Sequence, residues 1–360
     1  MDSQGSRRRL HAAPRAPVSG ATREGGRPWS GIVLGALAAG GLVLTGWLLE
    51  RLGLRPVADL LFRAGAGLLW LIPLRLVVVA CEVRGWGALL GARRGISWAL
   101  LIWLGMVRDA VNTFLPVARV GGEFVAIRLL RLKGVGSASA SASVIVETSV
   151  TLVLQVVTTL FGIALMLPFV GAGAALPGLL AGFAGAAVVV AVFVAVQLRV
   201  GLGEFADRTL GRVLRLMGRQ GLPLLPGLDR RVSGLYRRPG VLARCLFWQL
   251  TGFLGGAVEI AVMAMLMHVR LTAAQILVFE ALIQAIHSVS FVVPGALGVQ
   301  EGGFVGLAVL LGVAPDAALG IALGRRLRQL AIGLPVLASW QWQEWRLRRL
   351  SSAQAAPTGG

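Results

Sequence analysis

Long apolar runs separated by short arginine-bearing stretches set the pattern of this chain. The runs at about Gly31–Leu49, Ala64–Cys81, Ser141–Leu167, Pro177–Gln197, Val241–Met267 and Asp316–Trp340 read as spanning helices. Two further apolar stretches are interrupted. Ser97–Leu130 is broken by Asn112, Pro116, Arg119, Gly121, Gly122 and Glu123. Ala274–Leu311 is broken by Pro294, Gly295, Gly298, Glu301, Gly302 and Gly303. The pattern predicts an all-α polytopic membrane protein. It has about six full spans plus two Pro/Gly-broken helical hairpins, re-entrant or kinked. Residues 1–30 read as a disordered basic cytoplasmic tail, 31–345 as a single transmembrane domain and 346–360 as a second cytoplasmic tail. The one long polar stretch inside the domain is 199–240.

The two broken stretches match each other. A shift of 178 residues without gaps sets Asn112 against Ser290, Pro116 against Pro294 and Glu123 against Glu301. The match continues to Gly134-Val135 against Gly312-Val313, and then sets Glu147 against Arg325. Repeat units at about 97–167 and 274–340 follow. If the first enters the membrane from the cytoplasm and the second from the other side, the repeat is inverted, as in many transporters. Plain Pro kinks in ordinary spans are the alternative.

Composition agrees with the pattern. The chain has 360 residues, 56% hydrophobic and only 14% charged, and a mean hydropathy of +0.78. A soluble domain is about 25% charged, so a soluble globular protein is excluded. The formal net charge is +19, with Lys133 the single lysine. The arginines sit between apolar runs, which fits membrane topology better than nucleic acid, so no nucleic-acid partner is expected. The tail before residue 31 holds six arginines and the 199–244 stretch holds ten. The positive-inside rule then puts both termini and the 84–96 and 199–240 loops in the cytoplasm. Arg208, Arg212, Arg215 and Arg219 fall on one helical face opposite Leu210, Val213 and Met217. An amphipathic helix on anionic inner-leaflet lipid is one reading of 199–240, and a solvated basic loop is the other.

Thirteen charged positions lie in or beside apolar runs: Arg75, Glu82, Arg108, Asp109, Arg119, Glu123, Glu147, Glu259, Glu280, Glu301, Arg325, Arg326 and Arg328. Each costs roughly 2.5–3.5 kcal/mol at a helix centre on insertion scales. So many require pairing or a wet cavity. The repeat equates Glu147 with Arg325, so a Glu147–Arg325 or Glu147–Arg326 pair is expected. One polar site is expected to hold these residues with Glu123 and Glu301. Arginine and glycine-freed backbone suit a lipid phosphate, whereas the carboxylates suit a cationic group or a coupling proton. Cys81 and Cys245 give no disulfide framework. His11, His268 and His287 form no catalytic arrangement, although His287 could relay protons near Glu280 and Glu301. Neither a metal nor a cofactor is expected.

The stretch Asn112-Thr-Phe-Leu-Pro116-Val-Ala-Arg119-Val-Gly121-Gly122-Glu123 and its counterpart Phe291-Val-Val-Pro294-Gly295-Ala-Leu-Gly298-Val-Gln-Glu301-Gly302 resemble a known family. They are similar to the flippase-like transmembrane domain of lysylphosphatidylglycerol synthases and its stand-alone relatives. Surroundings of Glu147, and Gly324-Arg325-Arg326-Leu-Arg328 leading to Trp340-Gln-Trp342-Gln-Glu344, are most similar to the hopanoid-biosynthesis-associated, HpnL-type branch. The resemblance covers about 30–345. It implies movement of lipid across the inner membrane, with hopanoid-related lipids as cargo. The aminoacyl-transferring domain of the synthases is not expected in a chain running to Gly360, so synthase activity is not carried over.

Three functions compete at this point. The first is a lipid translocator for a hopanoid-related or anionic lipid. Its expected substrate-binding residues are Asn112, Pro116, Arg119, Gly121, Gly122, Glu123, Glu147, Pro294, Gly295, Gly298, Glu301, Arg325 and Arg326. The second is a non-catalytic scaffold that partners lipid-biosynthesis enzymes. The third is an intramembrane headgroup transferase. It needs a nucleophile or metal that the sequence does not offer, although Asp109 with Glu123 could do acid–base work. The protein is therefore expected not to be an enzyme.

Overall fold

The computed structural model describes Glu50 and residues 54–91, 96–114, 121–170, 227–289 and 298–355. The expected spans at 31–49 and 177–197, the tail 1–30 and the helical face at 208–219 lie outside the described residues. So do Pro116, Arg119, Pro294 and Gly295. Every element among the described residues is helical. In chain order they are α1 (Leu54–Ala64), a short 3-10 helix (Gly65–Trp70), α2 (Leu71–Leu90), α3 (Trp98–Phe114), α4 (Gly121–Leu132) and α5 (Ser137–Val170). There follow α6 (Leu228–Tyr236), α7 (Pro239–Leu266), α8 (Ala273–Val289), α9 (Val299–Leu311) and α10 (Pro315–Ala355).

Three helical stretches among the described residues are long and apolar enough to cross a membrane: Ala58–Leu90, Ser137–Phe169 and Pro239–Leu266. α10 has the length, but Arg325, Arg326 and Arg328 interrupt its apolar run, and it continues to Ala355 rather than ending near Trp340. Their surfaces are arranged for lipid. On α7, Phe247, Leu254, Val258 and Met265 point outward, while Gln249, Gly252, Gly256 and Glu259 are buried. Apolar outside and polar inside is the arrangement a helix in hydrocarbon requires.

Each interrupted stretch has a described helix on either side of residues that lie outside the described set. Asn112 is still inside α3, and Gly121 already opens α4. α4 begins against the end of α3, because Gly122 has no side chain: a Cβ there would strike the Arg108 carbonyl and the Asn112 amide. α8 and α9 run antiparallel. Gln275 at the start of α8 donates to the Leu311 carbonyl at the end of α9 (3.0 Å). At the other end, Gly303 of α9 rests on Ile283 and Ile286 of α8. Phe279 and Phe304 stack between the two helices.

The helices after each break also correspond. The starts of α4 and α9 are 178 residues apart, as are those of α5 and α10. The connecting turns share one geometry. Gly134 and Gly312 take positive φ (84° and 66°). The Val135 amide bonds to the Leu130 carbonyl, and the Val313 amide bonds to the equivalent Ala308 carbonyl. These are glycine-closed helix ends.

Two large apolar cores hold the bundle. One joins α2, α3, α4, the start of α5 and Val336 of α10 around Trp86, Leu104, Val107 and Leu130. The other joins Leu71 of α2, the far end of α5 and α7–α10 around Ile260, Phe279, Phe304 and Leu319. α10 is tied to the first unit at two points. Trp103 Nε1 donates to Ser339 Oγ (2.9 Å), and Arg128 grips both oxygens of Glu344 (2.7 and 2.9 Å).

Candidate functional site

α7 is the spine of the polar interior. Gln249, Gly252, Gly256 and Glu259 are spaced three, four and three residues apart, so they share one face. Each meets a charged group. Gln249 donates to Glu147 (3.0 Å), and Glu259 pairs with Arg328 (2.9 Å). At Gly252 a Cβ would collide with the Glu82 side chain, and at Gly256 with the Glu280 carboxylate. The two glycines therefore make room for acidic groups of neighbouring helices. Gln249 and Glu259 lie about 15 Å apart along the axis at 1.5 Å per residue, and a polar cluster is centred on each; Arg75 and Asp109 of the first and Arg328 of the second meet at one small pocket.

The cluster at the Gln249 level is open. A cavity of about 530 Å³ lies between α2, α3, α4 and α5, with Ser288 of α8 at its edge. Glu82, Arg108, Asp109, Asn112, Glu123 and Glu147 supply its charged and amide groups, and Thr148 and Thr151 its hydroxyls. Arg108 is the centre. Its guanidinium forks onto both oxygens of Glu147, with Nη2 to Oε1 at 2.9 Å and Nη1 to Oε2 closing the pair. Nη1 also faces Glu123 at 3.6 Å. Trp86 supports the guanidinium at 5.5 Å and is itself held by Ser143 (3.2 Å). Asn112 accepts the Gly122 amide (2.8 Å) and so fixes the start of α4, which places Glu123 at the cavity. Arg75 bridges Glu82 (3.5 Å) and Asp109 (3.3 Å). Four carboxylates thus face two guanidiniums.

The cluster at the Glu259 level is closed. It consists of one-to-one pairs: Arg328–Glu259 at 2.9 Å, Arg325–Glu280 at 3.0 Å and Arg326–Glu301 at 2.9 Å. Arg326 also reaches Glu301 through Nε (3.1 Å), and Gln284 donates to Glu280. All three carboxylates are buried. Arg325 lies over the Phe304 ring at 6.0 Å, much as Arg108 lies over Trp86.

The expected Glu147–Arg325 or Glu147–Arg326 pair does not form. Glu147 is taken by Arg108, Arg325 by Glu280 and Arg326 by Glu301. In each unit the third helix pairs with the first, Glu147 of α5 with Arg108 of α3 and Arg325 of α10 with Glu280 of α8, with the signs reversed between the units; α10 pairs besides with α9 and α7. The nearer partner in the same unit wins over the equivalent position in the other. The expected single site is accordingly divided: Asn112, Gly121, Gly122, Glu123 and Glu147 belong to the open cluster or its supports, while Glu301, Arg325 and Arg326 belong to the closed one. Gly298 opens α9 with a positive φ of 73°, just ahead of Glu301. Residues absent from the expected substrate-binding set are Glu82, Trp86, Arg108, Asp109, Thr148, Thr151 and Ser288 of the cavity, with Arg75 and Gln249 behind it; Arg75, Glu82, Arg108 and Asp109 were expected only as charges within apolar runs. Gln249 was findable, being in register with Gly252, Gly256 and Glu259.

No group of three His, Cys, Asp or Glu side chains among the described residues is placed to hold a metal ion. Residues 31–336 match the family described as the lysylphosphatidylglycerol synthase TM region. No curated protein and no solved structure matches the chain.

Proposed function

We propose that this chain, which belongs to the lysylphosphatidylglycerol synthase transmembrane-region family, moves a lipid headgroup across the bilayer through the Arg108–Glu147 cavity. One observation carries the reading: a cavity of about 530 Å³, lined by four carboxylates and a guanidinium, lies inside a bundle whose exterior is apolar. A space of that size is comparable to small-ligand pockets. Its charges are held by neighbouring side chains and still face open volume, so a polar group entering it replaces water at little cost. The acidic excess favours a headgroup that brings hydroxyl donors, a positive centre or a proton. Of the cargoes implied by the resemblance, a hopanoid-related lipid with a polyol or amine head fits this better than an anionic one.

The α3–α5 and α8–α10 units serve, in this proposal, as an inverted repeat. The common offset of their helix starts and their matching glycine turns support it. The open unit carries the cargo and the closed unit anchors it. With the arginine-rich ends at the cytoplasm of the inner membrane, the cavity lies about 12–15 Å from that surface, measured along α2 and α7.

The test is flipping of a fluorescent lipid in proteoliposomes, read by dithionite quenching. Glu123→Gln removes a cavity charge while Arg108 keeps its two bonds to Glu147, and transport should fall at least tenfold while the protein stays monodisperse. Wild-type-rate flipping by Glu123→Gln and by Glu147→Gln, at equal protein levels, would show that the cavity carboxylates are only structural, and absence of flipping by wild type would leave the scaffold reading in its place.

A further inference from the structure

The arginines of the two interior clusters are all ion-paired, but those at the basic end of the bundle follow a different rule. Between the end of α2, the start of α3 and the first turns of α7 lies an open cleft of about 840 Å³. Arg84, Trp98, Arg244 and Trp248 stand around it, above apolar Leu90 and Leu101. Glycines allow these helices to meet. A Cβ at Gly85 would stand 3.1 Å from the Cys245 carbonyl oxygen, and one at Gly87 would stand 3.3 Å from Leu101 and 3.4 Å from the Trp98 ring. α2 therefore lies with its backbone against α7. Arg84, beside Gly85, is set against two indoles, with its guanidinium carbon 5.0 Å from the Trp248 ring centre and 5.6 Å from that of Trp98.

Arg84 and Arg244 are exposed. Among the described residues no carboxylate pairs with either. Indoles attract the face of a guanidinium and leave its N–H edge free to donate paired bonds to a phosphate. A second cleft, of about 530 Å³, carries Arg230, Arg231 and Arg238 on the other side of Leu90 and Gly91. The local potential is therefore positive, in contrast to the acidic transport cavity. Arg84 and Glu82 are two residues apart on α2 and so point to nearly opposite faces. The cleft and the cavity are separate sites with opposite charge.

We propose that the Arg84–Arg244 cleft binds the phosphate headgroup of an anionic phospholipid of the adjoining leaflet. Paired tryptophans at this level suit the membrane–water boundary. The exposed apolar stripe of α7 at Phe247, Leu250 and Leu254 continues from the cleft and would take the acyl chains. This lipid is a bound companion of the fold and is distinct from the transported cargo.

Native mass spectrometry of the full chain, released from nanodiscs of mixed phosphatidylglycerol and phosphatidylcholine, tests the site without any transport readout. Wild type should retain one phosphatidylglycerol with roughly tenfold or greater preference, since each arginine near a membrane surface contributes appreciably to anionic-lipid affinity. Arg84→Gln/Arg244→Gln should bring that preference below about threefold. Arg84→Lys/Arg244→Lys keeps the charge, and it serves alone if the glutamine variant does not fold. Because lysine offers neither the planar stack nor paired donors, it should lose most of the preference too. Full retention in the lysine variant, or equal retention of both lipids by wild type, overturns the proposal. Displacement of the lipid by 50 mM inorganic phosphate at constant ionic strength would assign the cleft to free anions and overturn it as well.

Discussion

The two polar clusters are built from the same residue types on corresponding helices, and they differ in what surrounds them. In the open cluster the side chains of Glu82, Asp109 and Glu123 are 31%, 55% and 20% exposed, and only Glu147 is buried, at 2%. In the closed cluster those of Glu259, Glu280 and Glu301 are 0%, 1% and 1% exposed. The open cluster also shares its cations: Arg108 faces two carboxylates and Arg75 bridges two more. The closed cluster gives each carboxylate an arginine of its own. Shared charge beside open volume can be re-partnered by an incoming group. The one-to-one pairs touch only a small pocket of about 30 Å³ at Arg328, too small for a headgroup, so their role is to fix α10 against α7, α8 and α9.

That contrast predicts its largest effect at Glu259. Glu259→Leu leaves the Arg328 guanidinium charged and buried, and breaking such a pair costs roughly 3–5 kcal/mol. The variant should express poorly or melt far below wild type in detergent. Glu259→Leu/Arg328→Met should recover much of the loss, because an apolar pair of similar volume is often neutral. Glu123→Gln, by contrast, should hardly move the melting temperature. If Glu259→Leu melts at the wild-type temperature, the closed cluster is not a structural clamp.

The glycines of α7 sharpen the same comparison. Gly252 seats Glu82 of the open cluster, and Gly256 seats Glu280 of the closed one. A methyl group at either position strikes a carboxylate-bearing side chain. Glu82 lines the cavity and can swing into it; Glu280 is buried and tied to Arg325 and Gln284. Overpacking costs about 1–3 kcal/mol where neighbours cannot yield. Gly256→Ala should therefore destabilise by that amount and Gly252→Ala by clearly less, with transport the more affected property in the latter. Chemical or thermal unfolding of the two variants side by side decides it, and equal losses would erase the distinction between the clusters.

Much of this was legible in the amino-acid pattern. Long apolar runs announced a helical membrane bundle, and two Pro/Gly/Glu breaks announced the paired hairpins. Among the described residues, each expected interior charge falls in one of the two clusters. The pairing was not legible. A sequence offset says which positions are equivalent, and says nothing about which helix each side chain faces. Glu147 and Arg325 are equivalent, yet each is ion-paired with an opposite charge in its own unit, Arg108 and Glu280. The division into open and closed clusters was hidden for a related reason. It depends on how tightly helices pack, as where Gly256 seats Glu280 and Phe304 stacks on Phe279, and such contacts leave the apolar pattern unaltered.

The smallest effect is expected where the two units are the same. Gly134 and Gly312 close α4 and α9 with positive φ, and a Cβ at either would stand in open space. Substitution by alanine therefore introduces no collision, and only the left-handed backbone opposes it, at about 1 kcal/mol. Gly134→Ala and Gly312→Ala should lower stability by equal amounts and leave the cavity and its transport untouched. Their unfolding midpoints, measured in the same detergent, provide the reference against which the Gly252 and Gly256 pair is read. A loss at Gly312 much larger than at Gly134 would mean that the closed unit amplifies any strain placed in it. The contrast between the clusters would then reflect overall rigidity of the second unit rather than the charges themselves.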